Sequence, residues 1–251
     1  MDLLWFAKQQ ALSCLFAAGI FAALVMSRSF TFGLARYDFM LVVCVLLQIF
    51  MVVSKYESID ELKVICVFHI VGLCLEIFKV HLGSWSYPAD GFMKVFEVPL
   101  YSGFMYAAIA SYMCQALRRM NLQVSDVPMR STMLVAVLIY ANFYTNHWLP
   151  DVRWILVMLA LWLLRNVWVR FTVRNTQYKM HLSVSFVLIG FFIWIAENIG
   201  TYIGAWQYPD QKDGWKFVHA SKVGSWAILI IFSFMLVLWL KTKKKTLTNK
   251  N

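Results

Sequence analysis

Two glutamates set inside apolar runs, Glu76 and Glu197, are the residues of this chain best placed to do chemistry. An acid near the centre of a membrane helix costs on the order of 2.5–3.5 kcal/mol on insertion scales. Such a group therefore faces the protein interior and takes a partner there. A carboxyl stripped of water and without a close cation holds its proton near neutral pH, which makes it a general acid. The two acids belong to a repeated motif: Glu76 to Pro88 reads EIFKVHLGSWSYP, and Glu197 to Pro209 reads ENIGTYIGAWQYP. A single shift of 121 residues superposes Glu, Gly, Trp, Tyr and Pro and also carries Gly103 onto Gly224. One gap-free offset over five residue types is the signature of a duplication. A duplicated acid suggests a paired site, in which one carboxyl keeps a proton while the other stays ionised.

The neighbours of each acid favour different roles. His69, Gly72, Glu76, Lys79 and Gly83 recur at steps of three and four, so they share one helix face. Gly190, Ile193, Glu197, Gly200 and Gly204 occupy the matching positions and leave a small face that another backbone can approach. Glu76 then has Lys79 to balance its charge, whereas Glu197 has only neutral neighbours such as Asn198 and Thr201. On the chemical reading Glu197 is the proton donor and Glu76 the acceptor or cation stabiliser, tuned by Lys79 or His69. On the structural reading the same groups only pair and pack. Trp85, Tyr87, Trp206, Tyr208 and Asn198 are the candidate substrate contacts, the aromatic ones forming either a lid or an interfacial belt.

Other chemistry finds less in the residues. His81, His147 and His219, with Glu97, are all expected near the outer ends of spans, but no close ligand spacing such as HExxH joins them. Interfacial histidines bonded to water or backbone explain them, and neither a metal nor a cofactor is expected. The five cysteines, Cys14, Cys44, Cys66, Cys74 and Cys114, lie in apolar runs without a CxxC and read as small core residues.

The elements that must position these residues are membrane helices. The chain is 61% apolar and only 14% charged, against about 25% charge in soluble domains. Runs near 10–27, 38–53, 62–82, 97–117, 131–148, 152–173, 182–204 and 218–240 approach the roughly 20 residues that cross a bilayer. They predict an all-α polytopic membrane protein of about eight helices, with seven remaining open. The first run could also be a cleaved signal, but only Lys8 precedes it and no A-x-A site follows. The offset spans an even number of helices, so residues 1–121 and 122–251 are expected as two parallel four-helix repeats. Only the third and fourth runs and the seventh and eighth carry direct identity.

Eight spans put fourteen Lys and Arg on one side and seven on the other, which by the positive-inside rule places both termini in the cytoplasm. The net charge of +10 then reflects topology and the tail KTKKKTLTNK near anionic lipid, not nucleic-acid binding. Both Gly-x-Trp-x-Tyr-Pro segments face outward, beside Trp148, Trp154 and Trp215.

Five stretches carry a resemblance: LARYDF (34–39), GSWSYP (83–88), VPLYSGFMYAA (98–108), LIGFFIWIAENIGTYIGAWQYP (188–209) and HASKVGSWA (219–227). With them the chain resembles, over nearly its whole length, the YoaT-like bacterial integral membrane proteins, a domain-of-unknown-function family. The resemblance implies a multi-pass inner-membrane protein and transfers no catalytic residue. More locally, an intramembrane Glu followed by Gly-x-aromatic-x-Tyr is similar to membrane carotenoid hydratases and cyclases, whose carboxylates protonate a polyene. This chain departs from the cyclase pattern in having no Glu-Glu pair.

Three functions fit: an acid–base enzyme on an isoprenoid or other lipid, a small proton-coupled transporter, and a non-catalytic membrane scaffold. The bilayer is the expected partner in each, and the residues leave the oligomeric state open. The topology is directly testable: a C-terminal alkaline phosphatase fusion is expected to be inactive in membranes. An active fusion, or a reporter series giving an odd number of crossings, would overturn it.

Overall fold

The computed structural model describes residues 2–125, 127–145 and 148–248, with side chains described as far as residue 239. The chain is mostly helical. Its helices are α1 (Asp2–Ser13), α2 (Leu15–Met26), α3 (Arg36–Val53), α4 (Ile59–His81), α5 (Ser102–Arg119), α6 (Met129–Thr145), α7 (Arg153–Leu163), α8 (Leu182–Tyr202) and α9 (Lys222–Thr248). Among the described residues, α3, α4, α8 and residues 222–239 of α9 are long and apolar enough to cross a membrane; α1 and α2 pass that test only together. That gives four candidate spans, or five with the broken pair. The tail lysines Lys241, Lys243, Lys244, Lys245 and Lys250 lie beyond the described side chains.

The sixth expected span, 152–173, is not one helix. α7 has 11 residues, and the chain then enters β4 (Trp168–Val173), which pairs antiparallel with β5 (Thr176–His181) and with the short β3 (Gln123–Val124). The reason lies in the residue order: the run WVRFTV alternates, with Val169 and Val173 buried and Arg170 exposed. Period two with β-branched and aromatic residues is a strand pattern, and total hydropathy alone conceals it. Arg174, at φ 54°, turns the hairpin.

By its contacts the chain divides into two compact units. One comprises residues 1–9, 116–195 and 219–251. There α6 packs against α7 and α9 around Val135, Ile139, Ala160 and Ile228. Gly190 of α8 lies against the backbone of Val223 and Ala227, as a small face allows.

The other unit, Gln10–Gln115 with Ala196–Val218, holds both repeated motifs. Here α2 packs on α3, and the part of α5 in this unit buries Ser102, Ala107, Ala110, Ser111, Cys114 and Gln115 almost completely. A helix wrapped by protein does not need a lipid-compatible surface, which is why α5 carries many small and polar residues. α4 starts at a capping box: Glu61 N–H donates to the Ser58 hydroxyl (3.2 Å) and Ser58 N–H to the Glu61 carboxylate (2.8 Å).

The ends of α4 and α8 are alike. After α4, Ser84 N–H donates to Lys79 O and Gly83 N–H to Val80 O, both at 2.9 Å. After α8, Ala205 N–H donates to Gly200 O (2.9 Å) and Gly204 N–H to Thr201 O (3.0 Å). These are two Schellman caps related by the same shift of 121 residues. Their glycines sit at φ 69° and 70°, left-handed values at which a Cβ is strained.

Candidate functional site

The cap decides where the motif goes next. Reversed at Gly83, the chain runs back toward α4 and brings Trp85 and Tyr87 onto the acid nine and eleven residues behind them. Trp85 Nε1 donates to Glu76 Oε2 at 2.6 Å, and the Tyr87 hydroxyl donates to the same oxygen at 2.7 Å. Tyr106, from α5, donates to Oε1 at 2.8 Å. Tyr106 fits because residue 72 is glycine: any Cβ there would collide with the Tyr106 ring. Glu76 itself is 3% exposed, so these three neutral donors stand where water would otherwise solvate it.

The second copy repeats the move. Reversed at Gly204, the chain returns Tyr208 to Glu197, whose Oε1 accepts the phenol's hydrogen bond. Trp206 packs on Gly200, where a Cβ would meet its ring. The two loops then join: Ser86 and Gln207 exchange both backbone hydrogen bonds at 2.9 Å in an antiparallel bridge. Those two residues are themselves equivalent under the 121-residue shift, so the motifs meet at matching positions. Trp85 and Tyr208, the donors to Glu76 and Glu197, meet between the copies with ring centroids 6.2 Å apart.

The segment Arg36-Tyr37-Asp38, quoted above only as part of a resemblance, holds both loops in place. Arg36 donates to Ile203 O (2.7 Å) and Gly204 O (2.8 Å), and its Nε donates to Ser27 Oγ (3.1 Å). Tyr37 and Tyr101 both donate to Ala205 O, at 3.2 and 2.9 Å. On the first copy's side, the Tyr37 hydroxyl accepts from Ala89 N–H (3.2 Å), and the Asp38 carboxylate accepts from Phe92 and Met93 N–H (2.8 Å each). A charge followed by an aromatic at a helix start gave no periodic signal, so these roles were not legible in advance.

Asn198 accepts from Val218 N–H at 2.9 Å, and Thr201 donates to the carbonyl of Glu197 at 3.1 Å. Lys79 is buried on α4 with its Nζ 5.7 Å from the Phe78 ring centre. His69 stacks edge-on with Phe104 at 4.5 Å and packs on Gly103, and its Nδ1 is buried without a hydrogen-bond partner among the described residues. His81 and His219 are exposed, Glu97 sits at φ 65° in the turn between the short strands β1 (Lys94–Val95) and β2 (Val98–Pro99), and His147 lies outside the described residues. No group of three or more potential metal ligands occurs among the described residues.

One buried acid was missed. Glu57, 1% exposed in the loop before α4, accepts from Gln48 Nε2 at 2.6 Å and from the Ser111 hydroxyl. Its position beside Lys55 and Ser58 in a polar loop made it look solvated. Gln48 and Ser111, both from other elements, close over it.

Loss of water at the hydroxyls, and next the Glu76 carboxyl, push Tyr87 well above the usual phenol value of about 10. The same burial followed by Glu197 does so for Tyr208. Both phenols therefore remain hydrogen-bond donors throughout the physiological range.

The sequence profile of a family described as "Protein of unknown function (DUF817)" matches residues 2–234. The "Uncharacterized protein YoaT" of Bacillus subtilis (strain 168) is 52% identical over 242 residues, which cover 96% of this chain and 92% of that protein. No solved structure matches.

A phenol whose folded value is raised contributes stability that is complete below its unfolded value of about 10 and is lost as pH rises through the folded value. The thermal midpoint is accordingly expected to fall above about pH 10, with Tyr87 and Tyr208 still protonated in the folded protein. Ultraviolet titration in which all eleven tyrosines ionise together near their ordinary value, without unfolding, would contradict this.

Proposed function

The chain belongs to the DUF817 family of proteins of unknown function, and on that premise we propose a multi-pass bacterial inner-membrane protein whose Glu76 and Glu197 form one acid–base site acting on an isoprenoid or other lipid. The observation that carries the reading is the Ser86–Gln207 bridge, which joins two loops that each lay a tyrosine on their own buried acid. Two carboxyls that serve one site do not both ionise readily, so one keeps a proton for transfer. Glu76, with three neutral donors, is the ionised partner that stabilises a developing cation or accepts a proton. Glu197 is the donor. The matched Schellman caps support the wider proposal of two parallel four-helix repeats, residues 1–121 and 122–251, with both termini cytoplasmic.

Proton-coupled transport is the second reading, favoured by Glu57. Glu57, His69 and Glu76 succeed one another from the loop before α4 along that helix, giving polar groups at spaced depths within one unit. The third possibility, a scaffold, needs neither acid to titrate.

Replacing Glu197 or Glu76 with Gln keeps shape and a hydrogen bond but removes the acid, and general acid–base groups contribute about 10²–10⁴-fold to rate. Both variants are expected to reach the membrane at normal levels and to fail to complement a deletion. Lipidomics then separates the readings: an accumulated isoprenoid precursor supports the enzyme, and an unchanged lipid profile with altered solute uptake supports the transporter. Full complementation by both variants would make the acids structural.

A further inference from the structure

Beside the second motif lies a cleft of about 180 Å³, lined by Pro88, Thr201, Gly204, Trp206, Gln207, Gln211, Lys212, Gly214 and Trp215. It is well below the several hundred Å³ of sites for drug-sized ligands, so it suits one small moiety. Its walls are built. Gln211, 3% exposed, accepts from Tyr208 N–H (3.1 Å) and donates to Lys216 O (2.7 Å), while Gln207 donates to Gln211 O (2.9 Å). Trp215 Nε1 donates to the Thr201 hydroxyl at 3.1 Å.

The charge and surroundings of the cleft select its ligand. The only formally charged residue in the lining is Lys212, which makes no ion pair among the described residues. Gln207 and Gln211 each commit one amide N–H to a backbone carbonyl, and the Lys212 ammonium supplies the charge that a ligand in the cleft would meet. From Trp215 an aromatic surface continues outward: its ring lies 5.3 Å from that of Tyr202 and 4.8 Å from that of Phe217. Tyr202 and Phe217 are 61% and 73% exposed, and Ile199, one turn earlier on α8, is exposed as well. A cationic notch that runs into an exposed apolar strip, at the end of a candidate membrane span, matches an amphiphile with an anionic head.

We propose that this cleft binds the phosphate or carboxylate head of a lipid, with Lys212 as its counter-charge and the chain laid along Trp215, Tyr202 and Phe217. The proposal deepens the lipid reading given above and rests on it for the substrate class. Bound there, the head touches Gly204, Trp206 and Gln207, the residues leading to Tyr208 and Glu197, so the cleft is the docking point beside the acid pair.

The full-length protein in phosphatidylcholine nanodiscs, doped with phosphatidylglycerol or farnesyl phosphate, is to be examined by native mass spectrometry. Preferential retention of one anionic lipid per chain is expected, reduced about tenfold in Lys212→Gln, the scale of a lost charge-assisted contact. Lys216→Gln, whose side chain is outside the lining, should retain it. Equal retention of phosphatidylcholine, or an unchanged Lys212→Gln, would overturn the proposal. So would a tryptophan emission change elicited by inorganic phosphate when neither anionic lipid is preferred, since the site would then hold free anion. Glu197→Gln should still retain lipid. Loss of the preference while Glu197→Gln stays inactive removes the head site alone; retained lipid with an active Glu197→Gln removes the acid–base reading alone.

Discussion

Glu76 and Glu197 each accept a hydrogen bond from the tyrosine eleven residues further on, and much of the unit that holds them exists to make that bond possible. A carboxyl out of water is expensive unless donors replace the water. A membrane-spanning helix cannot supply them, because its own N–H groups are spent on its own carbonyls. The donors must come from outside the helix. The motif solves this locally: an apolar helix ends at a glycine in the left-handed region, the Schellman cap turns the chain, and the next residues carry indole and phenol back to the acid. An intramolecular hydrogen bond is worth roughly 0.5–1.5 kcal/mol net and more when the acceptor is charged, so the three on Glu76 are together of the size of the insertion cost.

Using the device twice creates something a single copy lacks. Two reversed loops leave two extended edges, and these satisfy each other at Ser86 and Gln207. The copies are not interchangeable, however. The shift of 121 residues carries Tyr106 onto Ala227 and Gly72 onto Ile193. The third donor on Glu76 and the glycine that admits it therefore have no counterpart in the second copy. That difference gives the two acids unequal surroundings, the usual condition for dividing donor and acceptor roles between a pair of carboxyls.

The parts of the fold legible in the residues were those written locally. Helical periodicity and the repeat offset led to α4, α8 and the burial of both acids, while the left-handed caps that end the two helices came only with the structure. Hydropathy misled where another period was superimposed on it, as in 152–173, where alternating valines form a hairpin strand. The rest of the site depends on contacts between distant residues. Tyr106, Arg36, Tyr37 and Asp38 come from other elements, and nothing in their own neighbourhoods marks what they reach. Glu57 is the clearest case: a polar loop around it signals exposure, and only the approach of Gln48 and Ser111 buries it. The inequality at Tyr106 was nonetheless available, since aligning the copies beyond the glycine sets Tyr against Ala.

The claim on which the rest depends is that the two motif loops touch at equivalent positions. Residues that exchange both backbone hydrogen bonds in an antiparallel pair lie about 5.5 Å apart at Cα, within the range a disulfide spans. In a variant with the five native cysteines replaced, Ser86→Cys together with Gln207→Cys is therefore expected to form an intramolecular disulfide in intact membranes under mild oxidation, while Ser84→Cys with Gln207→Cys crosslinks poorly. Failure of the 86–207 pair to crosslink in a folded, membrane-inserted protein would contradict the joined site.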